Sequence, residues 1–346
     1  MKRFLIFCIT FSVFAGHAQT TESKHLYHIR QLTFGGDNAE AYFSPDGKQL
    51  SCQITNPKWG LECDQIFNIN IEKAASDTTY RPPMISTGKG RTTCSYFMPD
   101  GKHILYASTH KGNPNCPIPV PHGPKYLWAV YPDFDIYVAD LKGKIKKQLT
   151  NSPLYDAEAT VSPDGKKIVF TSLRSGDLEL YIMDVDGKNV RQLTNGLGYD
   201  GGAFFSPDSK RLVFRASRPK SDSAQLEYRN YISLSLVAPT EMEIYTINVD
   251  GTDLKQVTHL GKANWAPFFH PNGHQIIFSS NHASSKGYDF QLYLINDDGS
   301  GLEQITTESN FNAFPMFSPD GKSLVFSSNR NNHGTHDTNI FIANWK

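Results

Sequence analysis

The sequence predicts an all-β fold, a six-bladed β-propeller with four antiparallel strands per blade, and three observations predict it. A hairpin phrase recurs six times, in forms such as "AYFSPDGKQLSCQ", "EATVSPDGKKIVFTS" and "PMFSPDGKSLVFSS", centred on Pro45, Pro99, Pro163, Pro207, Pro271 and Pro319. The copies stand 54, 64, 44, 64 and 48 residues apart, a spacing that means propeller or solenoid repeats. Each copy is followed by a strand-like run with a central aromatic, such as "LELYIMDVD" or "FQLYLINDD". Four of these runs lead through a Gly-containing turn into "KQLT", "RQLT", "KQVT" or "EQIT". Hairpin, third strand and fourth strand make one blade.

The elements follow in chain order. Residues 1–18, "MKRFLIFCITFSVFAGHA", carry Lys2 and Arg3, an apolar run and a small-x-small end at Gly16 and Ala18. That is the pattern of a secretory signal peptide, and it predicts an exported protein, periplasmic or extracellular. Residues 19–24 read as a short tail and 25–346 as the propeller. "HLYHIRQLTF", residues 25–34, resembles a fourth strand without a blade of its own. It is expected to complete the last blade and close the ring, which removes an open edge. In the hairpin, proline pre-sets φ at the second turn position, aspartate tolerates the third, and glycine takes φ > 0. The fourth copy carries Ser209 in place of that glycine.

Composition narrows the partners. The 34 basic residues less Lys2 and Arg3 leave 32, against 34 acidic. No basic stripe exists, so nucleic acid is not an expected partner. Apart from the leader no apolar run is long enough to span a membrane. Four cysteines remain after the leader, Cys52, Cys63, Cys94 and Cys116. Cys63 and Cys116 lie in neighbouring insertions and can pair, but four cysteines allow three full pairings and free buried thiols are an equal alternative.

The "PDG" hairpins with their preceding "RQLT"-type strands resemble the TolB-type, WD40-like propeller repeat, over roughly residues 25–346. The resemblance implies a propeller fold and an exported binding or scaffold module. TolB itself adds an α/β domain ahead of its propeller, and related peptidases add a hydrolase domain. Here about seven residues separate the expected cleavage site from the first strand, and no G-x-S-x-G elbow is present. The expectation is a propeller used alone.

Aligning the inner strands on the hairpin proline picks out candidate site residues. Seven positions before it stand Asn38, Thr92, Asp156, Asp200, Asn264 and Asn312, all polar. Five before it stand Glu40, Cys94, Glu158, Gly202, Ala266 and Phe314, and mostly small residues lie between. Period-two alternation puts the polar set on one face, lining the channel mouth, with the small set packed between blades. Eleven positions after the proline stand Asn56, His110, Arg174, Arg218, His282 and Arg330, returned by the hairpin to the same side. Three long insertions start there too. One, after Arg218, has Leu226, Tyr228, Tyr231 and Ile232 at helical spacing with Ser221 or Asp222 as cap, and predicts a short helical lid.

Two functional readings follow. The first is a binding module for a peptide, envelope protein or glycan, its ligand held by Asn38, Thr92, Asp156, Asp200, Asn264, Asn312, Arg174, Arg218 and Arg330. The second is a carbohydrate-active enzyme using Glu40 and Glu158, with Asp156 and Asp200, as acid and base. Its variant is a metal-assisted uronate lyase, in which His110 and His282 bind a divalent cation. Against these stands the plain reading of each Arg as an ion-pairing strut.

Overall fold

The computed structural model describes residues 21–120, 123 and 125–346. The expected leader, and residues 19 and 20 of the tail, lie outside them. Six antiparallel sheets form the six blades of a propeller. Blades 2 to 5 each have four strands in chain order; in blade 3 they are Asp156–Val161, Lys167–Ser172, Glu179–Asp184 and Arg191–Gln192. Blade 6 takes its outermost strand from the other end of the chain. Leu26–Gln31 pairs antiparallel with Asn339–Trp345, with Leu26 opposite Trp345 and Gln31 opposite Phe341. The expected ring closure is therefore present.

Blade 1 departs from four strands. Its sheet holds Asp37–Phe43, Gln49–Thr55 and Gln65–Asn70. A six-residue helix, Ile71–Ser76, follows where other blades make a glycine turn, and Asn70 caps it by accepting from the Lys73 N–H. The outer position is taken by a segment containing Pro82 and Pro83, which makes only an isolated bridge from Met84 to Phe67. Proline has no N–H to give a ladder.

The hairpin turns are as the residues dictate. The N–H of Gly165 bonds to Ser162 O at 2.8 Å, and Gly165 has φ 71°. Ser209 adopts φ 63° in the odd copy. Its hydroxyl accepts from the Asp164 N–H of the preceding blade at 3.1 Å.

The core of each blade rests on one cross-strand pair. Tyr106 faces Tyr137, Phe170 faces Tyr181, Phe214 faces Tyr245, Phe278 faces Tyr293 and Phe326 faces Phe341. Ring centroids in these pairs lie 5.9 to 6.2 Å apart. Such pairs add about 0.5–1.5 kcal/mol beyond area burial. Blade 1 substitutes Cys52 opposite Phe67, and that thiol is buried and unpaired with another cysteine.

Candidate functional site

Every inner strand carries a β-bulge at the same place. The register slips between Ala39 and Tyr42, Thr93 and Ser95, Ala157 and Thr160, Gly201 and Phe204, Trp265 and Phe268, and Ala313 and Met316. The residue at the slip has positive φ in all six: Glu40 53°, Cys94 47°, Glu158 57°, Gly202 61°, Ala266 47° and Phe314 54°. A bulge re-aims the side chain it carries. Here it aims all six at the channel, where they line one constriction of about 30 Å³. Two positions on, Tyr42, Tyr96, Phe204 and Phe268 close the channel below, with ring centroids 5.3 to 6.1 Å apart.

The bulge overturns the period-two expectation. Asn38, Thr92, Asp156, Asp200, Asn264 and Asn312 do not line the mouth; they are at most 1 % exposed. They serve as struts. Asn38 Nδ2 donates to Thr338 O at 2.8 Å, Thr92 Oγ1 to Asp64 O at 2.9 Å, and Asn264 Nδ2 to Met242 O at 2.7 Å. Asp156 takes Arg174 Nη2 at 2.7 Å, Asp200 takes Arg218, and Asn312 takes Arg330 Nη2 at 2.9 Å. Arg174 and Arg218 bond within their own blades, and Arg330 also pairs with Glu22 of the N-terminal turn at 3.4 Å. Their guanidinium groups cover the blade's aromatic pair, Arg174 at 4.9 Å from the Tyr181 centroid and Arg330 at 5.0 Å from Phe326. His110 and His282 take the same seat, 4.4 Å from Tyr137 and 4.5 Å from Tyr293. Each ring Nδ1 lies near the serine two residues earlier, at 2.9 and 3.0 Å. Burial, with Lys111 and Lys262 nearby, lowers both imidazole pKa values, so both rings are neutral at pH 7. They sit in blades 2 and 5. Among the described residues no three His, Cys, Asp or Glu side chains converge as a metal-holding group.

Above the constriction the mouth widens to a cavity of about 640 Å³. Two insertions roof it. Trp128–Ala129, from the blade 2 insertion, pairs antiparallel with Leu236–Val237, from the blade 4 insertion. The expected lid helix is Asp222–Ser233, with Ser221 accepting from the Ala224 N–H. Tyr228 on that helix bonds to Asp177 of blade 3. The blade 2 insertion is tied to blade 1 by the Cys63–Cys116 disulfide. Trp265 fastens the roof from below, donating Nε1–H to Pro239 O at 2.8 Å and stacking on Phe290 at 4.2 Å.

The floor holds the carboxylates. Glu158 accepts from Tyr199 OH at 2.6 Å, Thr171 Oγ1 at 2.7 Å and the Gly202 N–H at 2.9 Å, and it pairs with Arg215. Burial alone raises its pKa, but Arg215 and these donors outweigh that and hold it below the ordinary glutamate value. Arg215 is only 7 % exposed, and Trp128 of the roof lies 5.3 Å from its guanidinium carbon. Glu40 is half-buried on the same floor. Burial pushes its carboxyl up to about 7, with Glu158 and Asp64 adding repulsion against the help of Cys94 and Arg215. Glu40 and Glu158 thus share one cavity with their acidities shifted in opposite directions. Asp156 and Asp200, grouped with them from sequence, lie outside it.

A profile of the TolB β-propeller domain matches residues 135–230 and 228–343. The chain belongs to the TolB β-propeller family. Solved structures similar to this TolB-type propeller include a TolB-type protein of Agrobacterium tumefaciens, 19% identical, with TM-score 0.61 over 92% of this chain and 97% of that one. TolB of Acinetobacter baumannii is 20% identical, with TM-score 0.53 over 90% of this chain; the match spans 64% of its length. An oligogalacturonate lyase of Vibrio parahaemolyticus is 12% identical, with TM-score 0.51 over 91% of this chain and 93% of that one. At these identities the likeness is one of fold. Among the described residues no helix of the TolB-type propeller is long and apolar enough to cross a membrane.

Proposed function

We propose that this is an exported propeller that works as a binding module, holding a peptide or glycan ligand in the cup at the channel mouth. One observation carries the reading. Insertions from two non-adjacent blades meet over the channel and pair strand to strand, turning a water-filled opening into a roofed cavity of about 640 Å³. That volume suits a ligand of several tens of atoms, and its aromatic lining with a few polar groups is the usual make-up of a ligand cavity. The leader pattern and the Cys63–Cys116 disulfide support export to an oxidising compartment.

A thermal-shift screen of the mature chain against peptides and neutral, acidic and amino oligosaccharides tests it. A ligand of the folded state raises the melting temperature by mass action. The rise should vanish in Tyr126→Ala, a rim residue 62% exposed, whose loss leaves the fold intact. A rise that persists in that variant and in Trp128→Ala places the ligand elsewhere and sinks the reading.

A second reading has its own support. Glu40, pushed up to about 7, and Glu158, held ionised, are the acid and base that glycosidic cleavage needs. Turnover of a neutral oligosaccharide that disappears in Glu40→Gln would favour it. The uronate-lyase variant has less behind it, because His110 and His282 stand in different blades over their own aromatic pairs.

A further inference from the structure

We propose that the group reaching deepest into this cup is an organic cation, a primary ammonium. This rests on the mouth being the ligand site, and the charges lining it carry the rest. Four acids, Asp37, Glu40, Asp64 and Glu158, face two bases, Arg91 and Arg215. Both bases are committed. Arg91 Nε lies 2.8 Å from Asp64 Oδ2, and Arg215 pairs with Glu158 and also donates to Tyr199 OH at 2.7 Å. Asp37 and Glu40 are left with no Lys or Arg partner among the described residues.

Their surroundings show the missing charge. Glu40 is faced by the Cys94 thiol from blade 2, by Glu158 and Arg215 from blades 3 and 4, by Asp64, and by Tyr42 on its own strand. Asp37, solvent-exposed at the rim, has its carboxyl pKa raised by partial desolvation and by repulsion from Asp64 and Asp337, with His336 the one group that eases it. A cation entering the cup relieves both carboxylates at once. Tyr155, Trp265, Phe311 and Phe314 line the same cavity, and the faces of aromatic rings attract cations. The cup already holds one cation this way, Arg215 between the rings of Trp128 and Tyr199 at 5.3 and 5.0 Å. A primary ammonium suits better than a quaternary one, because its N–H groups need acceptors and free carboxylates are present. An acidic sugar is disfavoured, because its carboxylate meets two uncompensated carboxylates.

An ammonium group can come from a peptide amine or from an amino sugar, and the experiment separates the two. Binding to the full mature chain is measured by calorimetry with triglycine amide, its N-acetylated form, a glucosamine trimer, its N-acetylated form, and trigalacturonate. One free amine should bind at least tenfold more tightly than its acetylated form, and the pair showing the preference identifies the source. Glu40→Gln should abolish that preference while keeping the weak binding of the acetylated form. Asp37→Asn, at an exposed position, should reduce the preference without touching the floor. Affinity for the amine should fall about fivefold from pH 7 to pH 6 as Glu40 takes up its proton, and fall again above about pH 8 as the amine loses its own. Equal binding of free and acetylated forms, tighter binding of trigalacturonate, or a flat pH profile overturns the inference and leaves the mouth as a site for a neutral or acidic ligand. No binding by any probe at millimolar concentration overturns the binding reading as well.

Discussion

Replacing Glu40 by glutamine should stabilise the protein, and only above a certain pH. Burial and the neighbouring Glu158 push the Glu40 carboxyl from 4.5 to about 7. Between those values the folded protein holds a proton that the unfolded chain has released. Raising the pH strips it off against the fold, so stability falls across this window and the full cost is felt above pH 7. At about 1.4 kcal/mol per pH unit the rise sets an upper bound of about 3.5 kcal/mol. Solvent reaches the half-buried carboxylate and screens part of it, leaving about 2 kcal/mol. Glutamine has the same shape and the same left-handed backbone cost at φ 53°, so that strain cancels. Guanidinium unfolding of wild type and Glu40→Gln from pH 4.5 to 8.5 is the assay. The two should coincide near pH 4.5 and diverge to about 2 kcal/mol by pH 8, the variant being the more stable. A constant offset, or a variant less stable at pH 8, would refute the reasoning and mean that Glu40 accepts stronger hydrogen bonds than its neighbours indicate.

The remaining predictions concern the frame around the cup. Arg215→Met leaves Glu158 buried without its cation and should cost about 3–5 kcal/mol in chemical unfolding; a loss below about 1 kcal/mol would count against the pair as a strut of the floor. Gly202→Ala drives a methyl group into Arg215 and should lose about 2 kcal/mol or more; a silent substitution would mean the guanidinium can move aside. Cys63→Ser with Cys116→Ser removes a cross-link between residues 53 apart, worth up to about 4 kcal/mol by loop entropy. Limited proteolysis of that variant should cut first within the blade 2 insertion, residues 110–134, and cleavage elsewhere would count against the disulfide as its anchor.

Much of the fold was legible because turns announce themselves. The proline, aspartate and glycine of each hairpin have narrow backbone preferences, and residues 25–34 matched a fourth strand in search of a blade. Ser221 and the apolar spacing behind it marked the roof helix. The bulge was not legible. Glu40, Cys94, Glu158, Gly202, Ala266 and Phe314 share no chemistry, so no residue type reports the slip that they all adopt. Strict alternation then carried Asn38, Asp156 and their equivalents to the wrong face. Arg215 was missed although it had a signal. It sits inside the apolar run "RLVFRAS", where the other copies place Gln53, Ala107, Thr171, Ser279 and Ser327, and a charge in a buried strand needs a partner. The pairing of Trp128–Ala129 with Leu236–Val237 had none, since two residues of ladder between distant insertions leave no periodicity to read.

Closing the ring with its two ends also sets an order of events. Leu26 leaves the ribosome about 320 residues before its partner Trp345. At about 5–20 residues per second that is a wait of some 15–60 seconds. Through that time the first-made strand has nothing to pair with, and the other five blades can stack only into an open arc with two exposed edges. The strand Asn339–Trp345 completes the circle, and slow, non-local pairing of this kind makes its docking against Leu26–Gln31 the moment at which the propeller becomes a single locked body.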